Sequence, residues 1–129
     1  MKAVHIVYSG LGGASSLVFS LIEADKKKKL KQEIIFTGPF ILKDYLIRSN
    51  NLKINYYWAK TIKFISFFFI YKLFVKILSS KPDIIILHNY FIIPCVIYKI
   101  FFKKIKIIYI NHTDRSYYHW RDKIIFIFK

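Results

Sequence analysis

Short apolar runs alternate with longer periodic ones along this chain. Residues 3–9, AVHIVYS, form an unbroken apolar stretch rich in β-branched side chains, the pattern of a buried strand. The period then changes. Ala14, Leu17, Val18, Leu21 and Ile22 recur at helical spacing, with Ser16, Ser20 and Glu23 between them. That spacing predicts an amphipathic helix trailing into DKKKKLK, a solvated end where lysines suit the helix dipole. EIIFTG (33–38) predicts a second strand, closed by Gly38 and Pro39, and ILKDYLIRS (41–49) a short helix. LKINYYW (52–58) places Leu52, Ile54, Tyr56 and Trp58 on one side and predicts a third strand. Residues 61–80 predict a long, very apolar helix ending at Ser79 and Ser80. Pro82 breaks it, and Asp83–Leu87 predicts a fourth strand, apolar without alternation. Pro94 lies near the start of a helix in CVIYKIFFKK, and IKIIYIN (105–111) predicts a fifth strand. A polar loop, HTDRSYYHW, and a further apolar segment, RDKIIFIFK, follow.

Five strands, each followed by a helix or the start of one, predict βαβ units. Continuously apolar strands predict a parallel sheet covered on both faces. The expected class is α/β, a Rossmann-like parallel sheet of about five strands, in a single domain over residues 1–129. The apolar segment begun at Lys123 has no partner strand after it, so the pattern predicts a fragment of something longer or a truncated product.

Composition changes the picture in three ways. Nineteen lysines and three arginines face seven carboxylates, a formal charge of +15. Such a balance attracts polyanions or anionic membrane surfaces, although Ile, Lys, Phe, Tyr and Asn all run high together, as in a biased genome. The aromatics sit in apolar runs and are not interleaved with arginine, so nucleic-acid binding is disfavoured. Cys95 is the single cysteine, which excludes a disulfide framework and a cysteine zinc site and points to a reducing compartment. The glycines cut the first apolar run too short for a secretory signal, so a cytoplasmic location is expected. The best membrane-span candidate, residues 62–78, contains Lys63, Lys72 and Lys76. Each central lysine would cost about 2.5–3.5 kcal/mol in a bilayer, so the segment is expected to be buried or interfacial. Lys60, Lys63, Lys72 and Lys76 border Phe67, Phe68, Phe69 and Phe74, with Lys103, Lys104 and Lys106 beyond them, a basis for peripheral binding to the inner face of a membrane. A core helix with solvated ends explains the same pattern equally well.

Ligands of open parallel sheets sit beyond the carboxyl ends of the strands. Gly10, Gly12, Gly13 and Ala14 follow the first strand and open the first helix. Missing side chains let a ligand approach the backbone, and a helix amino terminus offers free N–H groups to a phosphate. A tight turn without a ligand is the competing explanation. Ser15 stands where the dinucleotide pattern has its third glycine, and no acidic residue ends the second strand, which disfavours a nicotinamide cofactor. The absence of a Gly-Lys-Ser/Thr triplet excludes a P-loop. His112 follows the fifth strand and His88 the fourth; each could move a proton or bond a sugar hydroxyl, or be a histidine satisfied locally. His5 falls inside the first strand and is expected in the core, and His119 on the surface. The four histidines lack metal-ligand spacing, so no metal is expected.

The opening KAVHIVYSGLGGASSLVFSLIEA, the Pro-Asp pair and trailing histidine of KPDIIILHNYFIIP, and IKIIYINHT together resemble the amino-terminal half of GT-B glycosyltransferases of the family-4 type. The resemblance covers nearly the whole chain. It implies a transferase moving a sugar from a nucleotide-sugar donor to a polysaccharide or glycolipid acceptor, with no cofactor. It also implies that Gly10, Gly12, Gly13 and Ala14 lie by the donor diphosphate and His112 at the transfer site. His88, Asn89, Asn111 and Thr113 become candidate acceptor contacts. Thr113 departs from relatives that carry an acidic or other residue there. That family's second, donor-binding domain has no counterpart here. Transfer needs a closed, dry cleft, so this chain alone is expected to be inactive unless a second polypeptide supplies the other half. The alternative is a non-catalytic membrane-surface or partner-binding subunit that docks a separate donor-binding domain.

Overall fold

The computed structural model describes residues 1–10, 13–25, 30–60, 67–88 and 92–110. Five strands, β1 (Lys2–Tyr8), β2 (Lys31–Gly38), β3 (Asn55–Lys60), β4 (Ile84–Leu87) and β5 (Lys106–Tyr109), alternate with four helices, α1 (Gly13–Ala24), α2 (Lys43–Asn51), α3 (Phe67–Ser80) and α4 (Ile92–Phe101). Every pair is parallel, and the strand order is β3-β2-β1-β4-β5. This is the α/β, Rossmann-like sheet that the sequence pattern predicts.

Side chains alternate across a strand, so β1 feeds two cores at once. On one face Val7, Ile34 and Phe36 meet Val18 and Phe19 of α1 and Tyr45 of α2. On the other, Val4, Ile6, Ile35, Ile85 and Leu87 meet Phe69, Leu73 and Ile77 of α3 and Cys95 and Tyr98 of α4. Burial on both sides is why β1 and β2 read as unbroken apolar runs. Burial pushes the Cys95 thiol pKa up, so this cysteine is packing and not a nucleophile.

The third strand differs from its sequence-predicted span. The chain turns at Lys53, whose φ of 52° lies in the left-handed region, and pairing begins only at Asn55. Tyr56 and Trp58 of the apolar alternation are exposed, while Ala59 is buried. The reason is position: β3 is an edge strand, and its Tyr57 and Ala59 face the α3 side. Tyr56 still packs edge-on to Phe36, and Trp58 Nε1 donates to the Gly38 carbonyl.

A charged cluster fastens the amino ends of the strands. Lys2 Nζ lies 2.8 Å from Glu33 Oε1 and donates to the Ser80 carbonyl at 2.5 Å, while Ser80 Oγ donates to Glu33 Oε2 at 2.6 Å. Burial pushes the Glu33 pKa up, but the hydrogen bonds from Lys2 and Ser80 and the Lys2 charge outweigh it, and the carboxyl sits below its usual range.

Candidate functional site

After β1 the chain builds outward through β2 to β3, then returns to place β4 on the other flank of β1. The order reverses between β1 and β4, and the crevice of an open α/β sheet forms at that switch point. The segment after β1 holds Gly10 and Gly13, and the residue after β4 is His88. The topology therefore brings two sequence-predicted site segments together. Gly12, Asn89, Asn111, His112 and Thr113 lie outside the described residues, as does His119.

The described glycines play different parts. A Cβ at Gly10 would stand 2.4 Å from Tyr8 Cε1, so the space left by Gly10 is taken by the Tyr8 ring. At Gly38, with φ +132°, an added Cβ would stand 2.8 Å from Ser9 Oγ and 3.0 Å from the same ring. Gly13 is the opposite case: it is exposed, it opens α1, and a Cβ there would meet nothing within 4 Å. Of these three, Gly13 is the one that leaves open space at the helix amino terminus. Ala14, next to it, is half-buried against the α1 core.

Hydroxyl groups lock this edge. Ser15, buried at the third position of α1, donates to the Tyr8 carbonyl at 2.5 Å. A serine thus stitches helix to strand where the dinucleotide pattern relies on glycine for close packing. Ser9 Oγ donates to the Thr37 carbonyl at 2.8 Å and to the Phe40 carbonyl, and Thr37 Oγ1 donates to the Val7 carbonyl at 3.1 Å. These bonds hold the ends of β1 and β2 rigid beneath the crevice.

His88 is buried, and its ring is joined to that of His5. His5 Nδ1 and His88 Nε2 are 3.1 Å apart, with ring centroids 5.3 Å apart. His5 Nε2 is 2.9 Å from Gln32 Oε1, and Gln32 Nε2 donates to Asp25 Oδ2 at 3.2 Å. The carboxylate fixes the amide, because only the amide nitrogen can donate to it. Gln32 Oε1 must then accept from His5 Nε2–H, which leaves the His5 Nδ1 lone pair to accept from His88 Nε2–H. One chain of bonds thus runs from the end of α1 through β2 and β1 to the carboxyl end of β4. Burial holds the His5 pKa below its ordinary value, against a smaller upward pull from Gln32. Core placement of His5 is legible in its position within an apolar strand. Its pairing with His88 is not, because the two are 83 residues apart.

Among the described residues no group of three or more His, Cys, Asp or Glu side chains could hold a metal ion. No described helix is long and apolar enough to cross a membrane.

No protein-family model and no curated protein sequence matches this chain. Its structure does resemble a solved one, the lipopolysaccharide outer core galactosyltransferase WaaB in its apo form, with a TM-score of 0.72 and 19% sequence identity. The match covers 98% of this chain and 37% of that one. At that identity the likeness shows the fold: a five-stranded parallel sheet with four helices, consistent with one half of a GT-B architecture.

Proposed function

We propose that the chain is the amino-terminal, acceptor-side half of a nucleotide-sugar glycosyltransferase. The observation that carries this reading is the arrangement at the β1/β4 switch point: Gly13 opens α1 after β1 with open space where a side chain would be, and His88, held by a defined chain of bonds, follows the neighbouring strand β4. The structural likeness to a galactosyltransferase supports it. Free N–H groups at the start of α1 suit the diphosphate of a nucleotide-sugar donor. His112, directly after the fifth-strand sequence, is the proposed group at the transfer site, with Asn111 and Thr113 beside it. The donor is a substrate, and no metal or other cofactor is proposed.

The chain spans 37% of the length of the galactosyltransferase it resembles. Transfer requires the leaving diphosphate to be stabilised in a cleft closed from both sides. We therefore assign most of the donor contacts to a second, donor-binding domain, without which the half described here is not expected to transfer sugar. A lipid-linked or polysaccharide acceptor fits work at the cytoplasmic face of a membrane.

The test is a radiolabelled sugar-transfer assay with the chain alone and with a donor-binding half supplied in trans. Transfer only in the combined sample, lost in His112→Ala, is the expected result. Transfer that survives His112→Ala removes that residue from the site. No transfer and no nucleotide-sugar binding by the combined sample overturns the reading in favour of a non-catalytic docking subunit.

A further inference from the structure

The bonded chain that begins at Asp25 holds one proton in each of its links, and that count decides where another can go. A Gln32 Nε2–H points to Asp25, His5 Nε2–H to Gln32, and His88 Nε2–H to His5 Nδ1. A proton added at His5 Nδ1 would set two N–H groups against each other at 3.1 Å. His88 Nδ1 is the ring nitrogen where an added proton breaks none of these links. The chain therefore steers positive charge to its last member, at the carboxyl end of β4.

The fold sets the surroundings of that ring. Leu87 pairs with Ile6, and the His88 backbone N–H donates to the Ile6 carbonyl at 3.0 Å, so His88 stands beside Val7. Its bond to His5 keeps the ring on the face of β1 that carries Val7, the face that α1 covers. Ser15 anchors the first turn of α1 to the Tyr8 carbonyl at the same end of the sheet. His5 and His88 are only 2% and 3% exposed. Burial and the positive end of α1 both disfavour an imidazolium there.

The charged groups of the surrounding elements lie at the other end. Glu23 is in the last turn of α1 and pairs with Arg48 of α2. Lys2 of β1 pairs with Glu33 near the start of β2, where Lys31 also lies. Lys106 opens β5, Lys99 is in the last turn of α4, and β4 carries no charge. The carboxyl ends of β1 and β5 hold the phenols of Tyr8 and Tyr109. Among the described residues of these elements, no carboxylate or ammonium group lies at the His88 end to settle its charge.

We propose that the crevice takes up a proton together with its anionic ligand. His88, neutral in the free chain, is protonated at Nδ1 when a diphosphate group binds at the opening of α1, and His5 is the positioning residue that fixes the tautomer. The proposal rests on the nucleotide-sugar reading of the crevice. A bound anion offsets the positive helix end and attracts the imidazolium at low dielectric. Asp25, acting through the polarised bonds of Gln32 and His5, favours the same charge. The proton comes from solvent, and no covalent bond between heavy atoms changes. Binding therefore strengthens as pH falls, and levels off where His88 of the free chain is protonated too.

Calorimetric titration with uridine- and guanosine-diphosphate hexoses tests it, on the chain combined with a donor-binding half. The diphosphate of these probes is a diester with no group titrating near neutral pH. Affinity about tenfold higher at pH 6 than at pH 8, with net proton uptake across buffers of different ionisation enthalpy, is expected. His88→Gln, whose amide still donates to His5, removes both effects. Long-range ¹H–¹⁵N spectra of the free wild-type chain at pH 8 show both rings protonated at Nε2, and His5→Phe gives His88 mixed tautomers. Equal affinity at the two pH values, or a pH dependence that survives His88→Gln, overturns the proposal and leaves the nucleotide-sugar reading standing. A wild-type His88 ring carrying its proton on Nδ1 at pH 8 overturns it without any variant. No binding at either pH, in a combined sample folded by circular dichroism, overturns the underlying reading and the proposal with it.

Discussion

Replacing His5 by Phe should remove one pH-dependent part of this protein's stability while lowering stability at neutral pH. His5 is 2% exposed and sits between Gln32 at 2.9 Å and His88 at 3.1 Å. A phenyl ring fills the space but leaves Gln32 Oε1 without its donor and His88 Nε2–H without this acceptor. Each buried polar group deprived of its partner costs about 1–3 kcal/mol, partly offset by the gain from burying a more apolar ring. A net loss of roughly 2–4 kcal/mol at pH 8 is expected. The pH dependence follows from the direction of the shift. Burial holds the His5 pKa below the ordinary 6.5, so below that pH the unfolded chain binds a proton that the folded chain resists. His5 therefore contributes fully above about pH 6.5, and its contribution falls as the pH drops, by up to about 1.4 kcal/mol per unit. Urea unfolding followed by circular dichroism between pH 8 and pH 5 reads both effects. The wild type should lose stability toward pH 5, and His5→Phe should lose it less steeply from a lower start. An unchanged slope, or equal stability at pH 8, would refute the bonding chain.

Three further outcomes follow from the same structure. Gly10→Ala forces the Tyr8 ring aside and costs about 1–3 kcal/mol, whereas Gly13→Ala, with open space around it, changes stability by less than about 1 kcal/mol; thermal melts of the two variants compare them directly. Glu33→Gln breaks the Lys2–Glu33 pair and costs about 1–3 kcal/mol, discounted for the 21% exposure of the Lys2 side chain. Because the folded Glu33 pKa lies below 4.5, the pair's contribution is present above about pH 4.5 and lost as pH falls through the folded value, so Glu33→Gln flattens the acid-unfolding curve in that window. Ser15→Ala removes the bond to the Tyr8 carbonyl and loosens α1 on β1, lowering stability by about 1–2 kcal/mol and speeding hydrogen exchange in the first turn of α1.

The fold was legible where burial is two-sided. β1 and β2 carry unbroken apolar runs because helices cover both faces, and the alternation of short and periodic segments follows from that layering. Edge position is a property of the assembled sheet, so the composition of β3 pointed to Tyr56 and Trp58 while the fold buries Ala59. In the site, glycine spacing located the first turn, but which glycine serves packing and which leaves open space depended on where the Tyr8 ring lies. The bonds from Asp25 through Gln32 and His5 to His88 run from the residue after α1 across β2 and β1 to the residue after β4, and no local spacing marks them. A buried histidine inside an apolar strand was the one available signal, since such a ring must find partners.

The central claim is that the carboxyl ends of β1 and β4 form the wall of a nucleotide-sugar site. Its most direct test is an amide shift map of the ¹⁵N-labelled chain, combined with an unlabelled donor-binding half and titrated with nucleoside diphosphates and their sugar conjugates. Saturable shifts clustered at Gly10, Gly13, Ser15 and His88, abolished by Gly13→Glu, are the result expected. Shifts confined to residues away from the carboxyl ends of β1 and β4, or none at all, would contradict it.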